Sequence, residues 1–254
     1  MSDVLVLCYH AVSRTWPAGL SIAPEALERQ LASLVAKGYR GATFNQAVLD
    51  PPAPRTLAIT FDDAYRSVHE HARPVLARLG LPGTVFVPTT FAGTEAPMAW
   101  PGIDQWLGTE HERELIPMSW EELRELQAEG WEVGSHTESH PRLPRLEGDA
   151  LRGELKRSRA ECEERLGAPC RSIAYPFGDH SPAVVAAARA AGYETAGAVA
   201  GRVRTPEPLL WPRDAIYRHD SAVTFRIKVS PLVRRLRRSH AWRARFLLRR
   251  RRPA

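Results

Sequence analysis

Leu57-Ala-Ile-Thr-Phe-Asp62-Asp63 is an apolar run that stops abruptly at two adjacent carboxylates. Leu, Ala, Ile, Thr and Phe in succession read as a strand buried on both faces, as in a parallel sheet covered by helices. Charge does not belong inside such a strand. Where the strand ends, the alternation of side chains breaks down, so Asp62 and Asp63 can both turn into the crevice at its carboxyl end, where α/β folds place their chemistry. An Asp pair by itself is more often a solvated turn or a helix cap. The weight of the reading therefore comes from two other stretches.

Trp131-Glu-Val-Gly-Ser-His136-Thr-Glu-Ser-His140-Pro141 is a second short apolar segment ending in polar residues, with two imidazoles four positions apart. A helical turn would bring such side chains onto one face, about 5–6 Å apart at Cβ, which suits two nitrogens each about 2.0–2.1 Å from one zinc. Two histidines make an incomplete site. A carboxylate from Asp62 or Asp63 would complete three ligands and leave one position open, the arrangement of a catalytic rather than a structural zinc. Ser172-Ile-Ala-Tyr175-Pro176-Phe177-Gly178-Asp179 is the third strand-like run that stops at a turn.

Thr-Phe-Asp-Asp, His-Thr-x-x-His and Tyr-Pro-Phe-Gly, in that order at three strand ends, resemble the motifs of polysaccharide deacetylases of the NodB-homology type, carbohydrate esterase family four. The resemblance covers roughly residues 3–220. It implies an α/β fold, a single-domain distorted (β/α) barrel of parallel strands with a metal at its top, and an enzyme that removes N-acetyl groups from an amino sugar or glycan. Many family members carry a catalytic histidine in a later Leu-x-His motif, and none follows here. Leu7-Cys8-Tyr9-His10-Ala11-Val12 instead looks like the N-terminal Tyr-His of the circularly permuted poly-N-acetylglucosamine deacetylase branch.

The resemblance assigns Asp63, His136 and His140 to a divalent metal, with zinc the favoured ion, which would polarise the acetyl oxygen and lower the pKa of its water toward about 7. Asp62 becomes the general base and His10 the acid that protonates the departing nitrogen. Tyr175, Pro176 and Phe177 form the turn whose backbone N–H helps hold the oxyanion. Ala174 stands where many members have an arginine, so the group that orients Asp62 must come from elsewhere. Arg171 and Arg213 are the candidates, and Arg213 in Trp211-Pro-Arg213-Asp214 is preferred, although a purely structural ion pair would look the same in sequence. The alternatives kept open are hydrolysis of a non-carbohydrate amide or imide, and a catalytically silent glycan-binding or membrane-associated barrel.

The 254 residues are 44% hydrophobic, enough for one α/β barrel with a substantial core. Cys8, Cys162 and Cys170 have no zinc-ligand spacing, and an odd number suggests no disulfide framework. Met-Ser-Asp-Val-Leu-Val-Leu-Cys lacks the charged start and long apolar core of a secretory signal. A cytoplasmic protein is expected. The net charge of +6 hides an asymmetry, because residues 221–254 hold twelve of the 35 Lys and Arg and no Asp or Glu. Residues 1–220 are therefore expected to be the catalytic domain, and 221–254 a basic tail, amphipathic or disordered. With Leu232, Leu236, Trp242, Phe246, Leu247 and Leu248 among its arginines, the tail suits peripheral contact with an anionic membrane. Nucleic acid is not the expected partner, and oligomeric state is open.

Between these landmarks strands and helices alternate, as βα units require. Val4–Leu7 begins as a strand, residues 24–37 read as a helix with Pro24 early and Gly38 after its end, and residues 65–79 read as a second helix. His69 and His71 lie two apart and do not share a helix face, so they are not read as ligands. Ser119-Trp-Glu-Glu122 has the pattern of a capping box. Residues 89–118, with Trp100 and Trp106, form a long irregular insertion, either a binding loop whose tryptophans stack on sugars or a cover packed onto the barrel.

Overall fold

The computed structural model describes residues 3–203 and 205–238. The chain begins with β1 (Asp3–Tyr9), the short pair β2 (Ala11–Val12) and β3 (Ser21–Ile22), helix α1 (Pro24–Val35), β4 (Arg40–Ala42), α2 (Phe44–Leu49) and β5 (Arg55–Phe61). There follow α3 (Arg73–Arg78), β6 (Thr84–Val87), α4 (Trp120–Ala128), β7 (Glu132–Ser135), α5 (Gly148–Leu166), β8 (Ser172–Ala174), α6 (Pro182–Ala190), β9 (Thr195–Val199) and β10 (Trp211–Ala215). Two last helices, α7 (Ala222–Val229) and α8 (Pro231–Arg238), close the described chain.

Seven parallel strands close a barrel in the order β1, β5, β6, β7, β8, β9, β10, with β10 returning to β1. The short β4 runs beside the first half of β5, pairing Arg40 with Thr56 through Ala42 with Ala58. β1 and β5 pair in step from Asp3 opposite Arg55 to Tyr9 opposite Phe61. That register matters for chemistry, because it makes His10 and Asp62 leave the barrel side by side although they are far apart in sequence. The apolar character of β5 has the expected cause: Leu57, Ala58, Ile59 and Phe61 are all fully buried.

Alternation along the strands divides the buried apolar residues into two groups. The larger lies between sheet and helices, and the smaller joins Val6, Ala58, Phe86 and Ala174 to Phe44 and Ala47 of α2. α2 closes the end at which the strands begin. Its Thr43 cap is a full capping box, Phe44 N–H donates to Thr84 Oγ1 at 2.9 Å, and Asn45 N–H donates to Glu132 Oε2 at 2.8 Å. Chemistry is thereby confined to the opposite, carboxyl end.

Two expectations change in detail. Residues 65–79 are not one regular helix, for a π turn at Val68–Ala72 precedes α3, a distortion frequent near functional sites. The segment 89–118 is a packed cover: Met98, Leu115 and Met118 are fully buried, and Trp106 meets Trp16 with ring centroids 6.0 Å apart. The capping box at Ser119 and Glu122 forms as the sequence suggests.

The described part of the basic tail is folded against the barrel. Phe225 and Val229 of α7 are buried in the main core, and Arg234 of α8 is buried while donating to Val4 O at 3.0 Å and to the Asp3 carboxylate. Trp242, Phe246, Leu247 and Leu248 lie outside the described residues. Among the described residues, no helix is long and apolar enough to cross a membrane.

Candidate active site and metal centre

Three strand ends meet at the carboxyl end of the barrel. Asp62 and Asp63 follow β5, His136 and His140 follow β7, and Tyr175-Pro176-Phe177 follows β8. Asp63, His140 and Phe177 adopt φ of 68°, 60° and 58°, left-handed values that non-glycine residues avoid, and Ala64 and Thr137 do the same between them. Each such residue costs about 1–3 kcal/mol. Among the described residues, all five non-glycine residues of this kind lie in these three turns, so the strain is concentrated where side chains must be aimed.

His136 and His140 are not brought together by a helical turn, contrary to the reading of their spacing. The chain instead makes a tight turn, held by hydrogen bonds from Thr137 N–H to Ser135 Oγ and from His140 N–H to Thr137 Oγ1. The Glu154 carboxylate of α5 accepts from Glu138 N–H at 3.0 Å and Ser139 N–H at 2.9 Å. The imidazoles end with centroids 4.9 Å apart. Left-handed backbone at Thr137 and His140 replaces the helix.

Asp63 Oδ1 lies 3.3 Å from Nε2 of both His136 and His140. Two donors each about 2.0–2.1 Å from a tetrahedral zinc are about 3.3 Å apart. Asp63 Oδ1 is buried and makes no hydrogen bond among the described residues, so three lone-pair carriers converge on one point without satisfying each other. His136 Nδ1 donates to Ala174 O at 2.8 Å, which leaves Nε2 as the free lone pair. The residues fit a divalent ion.

The electrostatics of these three side chains are consistent with this. Burial opposes ionisation of Asp63, but the neighbouring His136 and His140 hold its carboxyl well below the usual range. At His136 burial is outweighed by the Asp62 and Asp63 carboxylates and the pKa rises, whereas at His140 burial prevails and the pKa falls.

Asp62 is held differently. Arg213 on β10 grips it with both ends of its guanidinium, Nη1 to Oδ1 at 2.6 Å and Nη2 to Oδ2 at 2.8 Å. Arg171 reaches Glu194 instead. Burial pushes the Asp62 carboxyl up, but Arg213, His136 and His10 override it and bring the pKa to about 2. Arg213 is itself 1% exposed and lies over the Phe86 ring at 5.2 Å. Room for it comes from Gly197, where an added Cβ would stand 2.4 Å from Arg213 Nε. Gly197→Ala should therefore destabilise the fold by about 1–3 kcal/mol and loosen Asp62, checked by a melting curve together with a rate measurement.

His10 comes to the same spot from β1: its ring nitrogen, Cys8 Sγ and an Asp62 oxygen all lie within 4.8 Å of one another. Its Nδ1 is buried without a hydrogen bond among the described residues. Of the Tyr175-Pro176-Phe177 turn, Tyr175 points away, its hydroxyl donating to Leu209 O at 2.9 Å. The Tyr175, Gly178 and Asp179 N–H groups are spent on the carbonyls of Gly197, Tyr175 and Pro176, which leaves Phe177 N–H as the turn's candidate donor.

Sequence reasoning missed three neighbours. The Cys8 thiol donates to Asp62 Oδ2 at 3.4 Å, a contact made by the β1–β5 register and invisible in the local pattern. Trp100 stacks on His140 with centroids 4.1 Å apart, while Phe177 flanks the same imidazole at 4.8 Å. Arg142 lies over the Phe177 ring at 4.0 Å. Trp100 is thus a buried wall against His140 rather than a free sugar platform. Trp100→Ala should weaken zinc binding about tenfold, measured by competition with a chromophoric chelator.

Residues 50–196 match the family model described as polysaccharide deacetylase. The chain belongs to the polysaccharide deacetylase family. YxkH of Bacillus subtilis, named as a polysaccharide deacetylase, is 25% identical over 194 residues, 74% of this chain and 62% of that one. This family member thus spans under two thirds of the length of that relative. Among solved structures, the Streptococcus pyogenes deacetylase PplD in complex with acetate superposes with a TM-score of 0.74 at 21% identity, covering 90% of this chain and 99% of that one. IcaB from Ammonifex degensii gives 0.69 at 24% identity, covering 94% and 98%. Likeness at these identities establishes the shared fold, the NodB-homology barrel.

Proposed function

We propose that this chain is a metal-dependent hydrolase that removes the N-acetyl group from an amino sugar or glycan and releases acetate. The observation that carries the reading is the pairing of two adjacent carboxylates with different holders, Asp63 facing two imidazoles and Asp62 clamped by Arg213. The acetate complex of the Streptococcus pyogenes relative and the family match support the same bond class.

Asp63, His136 and His140 would hold the ion, and two imidazoles with one carboxylate are a donor set for zinc. Bound there, it supplies a Lewis acid for the acetyl carbonyl and a lowered pKa for water. Asp62, kept ionised by Arg213 through the neutral range, accepts the proton of the attacking water. Phe177 N–H donates to the oxygen that gains charge as the carbonyl carbon becomes tetrahedral. His10, entering as imidazolium, passes its proton to nitrogen as the C–N bond breaks, so water is divided between acetate and the free amine. His10→Ala should reduce turnover about a hundredfold or more with zinc content unchanged. Loss of zinc in that variant would instead make His10 a ligand.

The reading is tested by measuring acetate released from a panel of N-acetylglucosamine oligomers and lipid-linked N-acetyl sugars by the zinc-loaded protein. Release from any of them, abolished by chelation, is the expected result. Hydrolysis confined to cyclic imides or non-carbohydrate amides would move the chain to a different substrate class.

A further inference from the structure

The two C-terminal helices present an apolar surface that the barrel does not use. Seven large apolar side chains are exposed among the described residues, and the four most exposed are Leu232 (67%), Val223 (56%), Ile227 (50%) and Leu236 (47%), all on α7 and α8. Val223 and Ile227 are one helical turn apart, as are Leu232 and Leu236, so each pair shares a face. Exposed aliphatic groups gathered this way mark an interaction site.

The charge around them selects the partner. Exposed Arg226 and Arg235 accompany the aliphatic pairs. A cavity of about 350 Å³ between these helices and the end of α1 is lined by Lys37, Arg55 and Arg226 with Leu34, Val229 and Pro231, and no carboxylate lines it. The sequence continues through residues 239–254 with six arginines, no acidic residue, and Trp242, Phe246, Leu247 and Leu248. Nor is the platform a loose arm, since Arg234 fastens α8 to Asp3, Val4 and Tyr39. We propose that the α7–α8 face docks on an anionic lipid bilayer, with the aliphatic pairs entering the headgroup boundary and the Lys37–Arg55–Arg226 cavity receiving a headgroup phosphate. Nucleic acid fits less well, because the exposed Val, Ile and Leu of α7 and α8 offer bases no stacking surface.

The orientation follows from the anchor. Arg234 ties α8 to Asp3 and Val4 at the start of β1 and to Tyr39 just before β4, whereas Lys228 of α7 donates to Ala215 O at the end of β10, so the two helices run along the side of the barrel toward its amino end. Asp62 and Asp63 lie beyond the carboxyl end of β5, whose seven residues span about 20 Å.

The test is sedimentation of the full-length protein with vesicles of phosphatidylcholine alone or mixed with phosphatidylglycerol, which needs no hydrolase activity. Binding should require the anionic lipid, and the Ile227→Glu/Leu232→Glu variant, altered only at exposed positions, should bind about fiftyfold more weakly with an unchanged melting curve. Arg226→Glu should weaken binding by about tenfold. Equal binding to phosphatidylcholine alone, or parental binding by the double variant, would overturn the proposal. So would a short DNA duplex that displaces the vesicles and binds parent and double variant alike, which would identify nucleic acid as the partner.

Discussion

On the proposed mechanism, replacing Asp62 by asparagine should lower acetate release by about a thousandfold or more and leave zinc bound. The amide keeps the shape of the carboxylate but cannot take a proton at neutral pH. Zinc should stay because its proposed donors are Asp63, His136 and His140, which face one another and not Arg213. A second effect follows from burial. Arg213 is 1% exposed and its guanidinium grips Asp62 bidentately, so removing the negative charge strands a buried cation at a cost of about 3–5 kcal/mol in stability. Rate and stability must therefore be separated. Asp62→Asn combined with Arg213→Met replaces the buried cation by an apolar chain of similar length and should recover much of the stability, but none of the rate. A single variant that hydrolyses within about tenfold of the parent would remove Asp62 from proton transfer.

The parts of this site that were legible in the sequence are those whose partners are local. Leu57 to Asp63 announces a buried strand and its end within seven residues, and His136 with His140 announces a pair. What joins them is not local. The six-residue step from Asp3 to Tyr9 in register with Arg55 to Phe61 sets Cys8 and His10 against Asp62, and nothing in either segment encodes that register alone. Arg171 adjoins β8 and Arg213 lies within β10, and only closure of the barrel decides which one faces Asp62. The spacing of His136 and His140 suggested a helix because four-residue spacing is the helix's signature. It could not reveal that Thr137 and His140 are left-handed, since neither is the glycine that usually marks such a position. The basic character of the C-terminal segment was visible from composition, but Phe225, Val229 and Arg234 carry its docking, and their partners in the core and at Asp3 lie more than two hundred residues away or across the barrel.

Zinc should raise the thermal midpoint of the parent protein, and Asp63→Ala and His140→Ala should each lose that increment while Asp62→Asn keeps it. A ligand that binds only the folded state stabilises by about 2.7 kcal/mol when present at a hundredfold excess over its dissociation constant, which for a chain of this size corresponds to about 5–10 °C. The donors are held by the chain itself: Ala174 O fixes the His136 tautomer, Trp100 and Phe177 clamp the His140 ring, and Glu154 holds the turn between them. Little conformational entropy remains to be lost on binding, so the gain should appear as stability rather than as refolding of the loops. The comparison of variants distinguishes the neighbouring carboxylates, because Asp62 faces Arg213 and Asp63 faces the two imidazoles. If Asp62→Asn abolished the zinc increment and Asp63→Ala preserved it, the two roles would have to be exchanged.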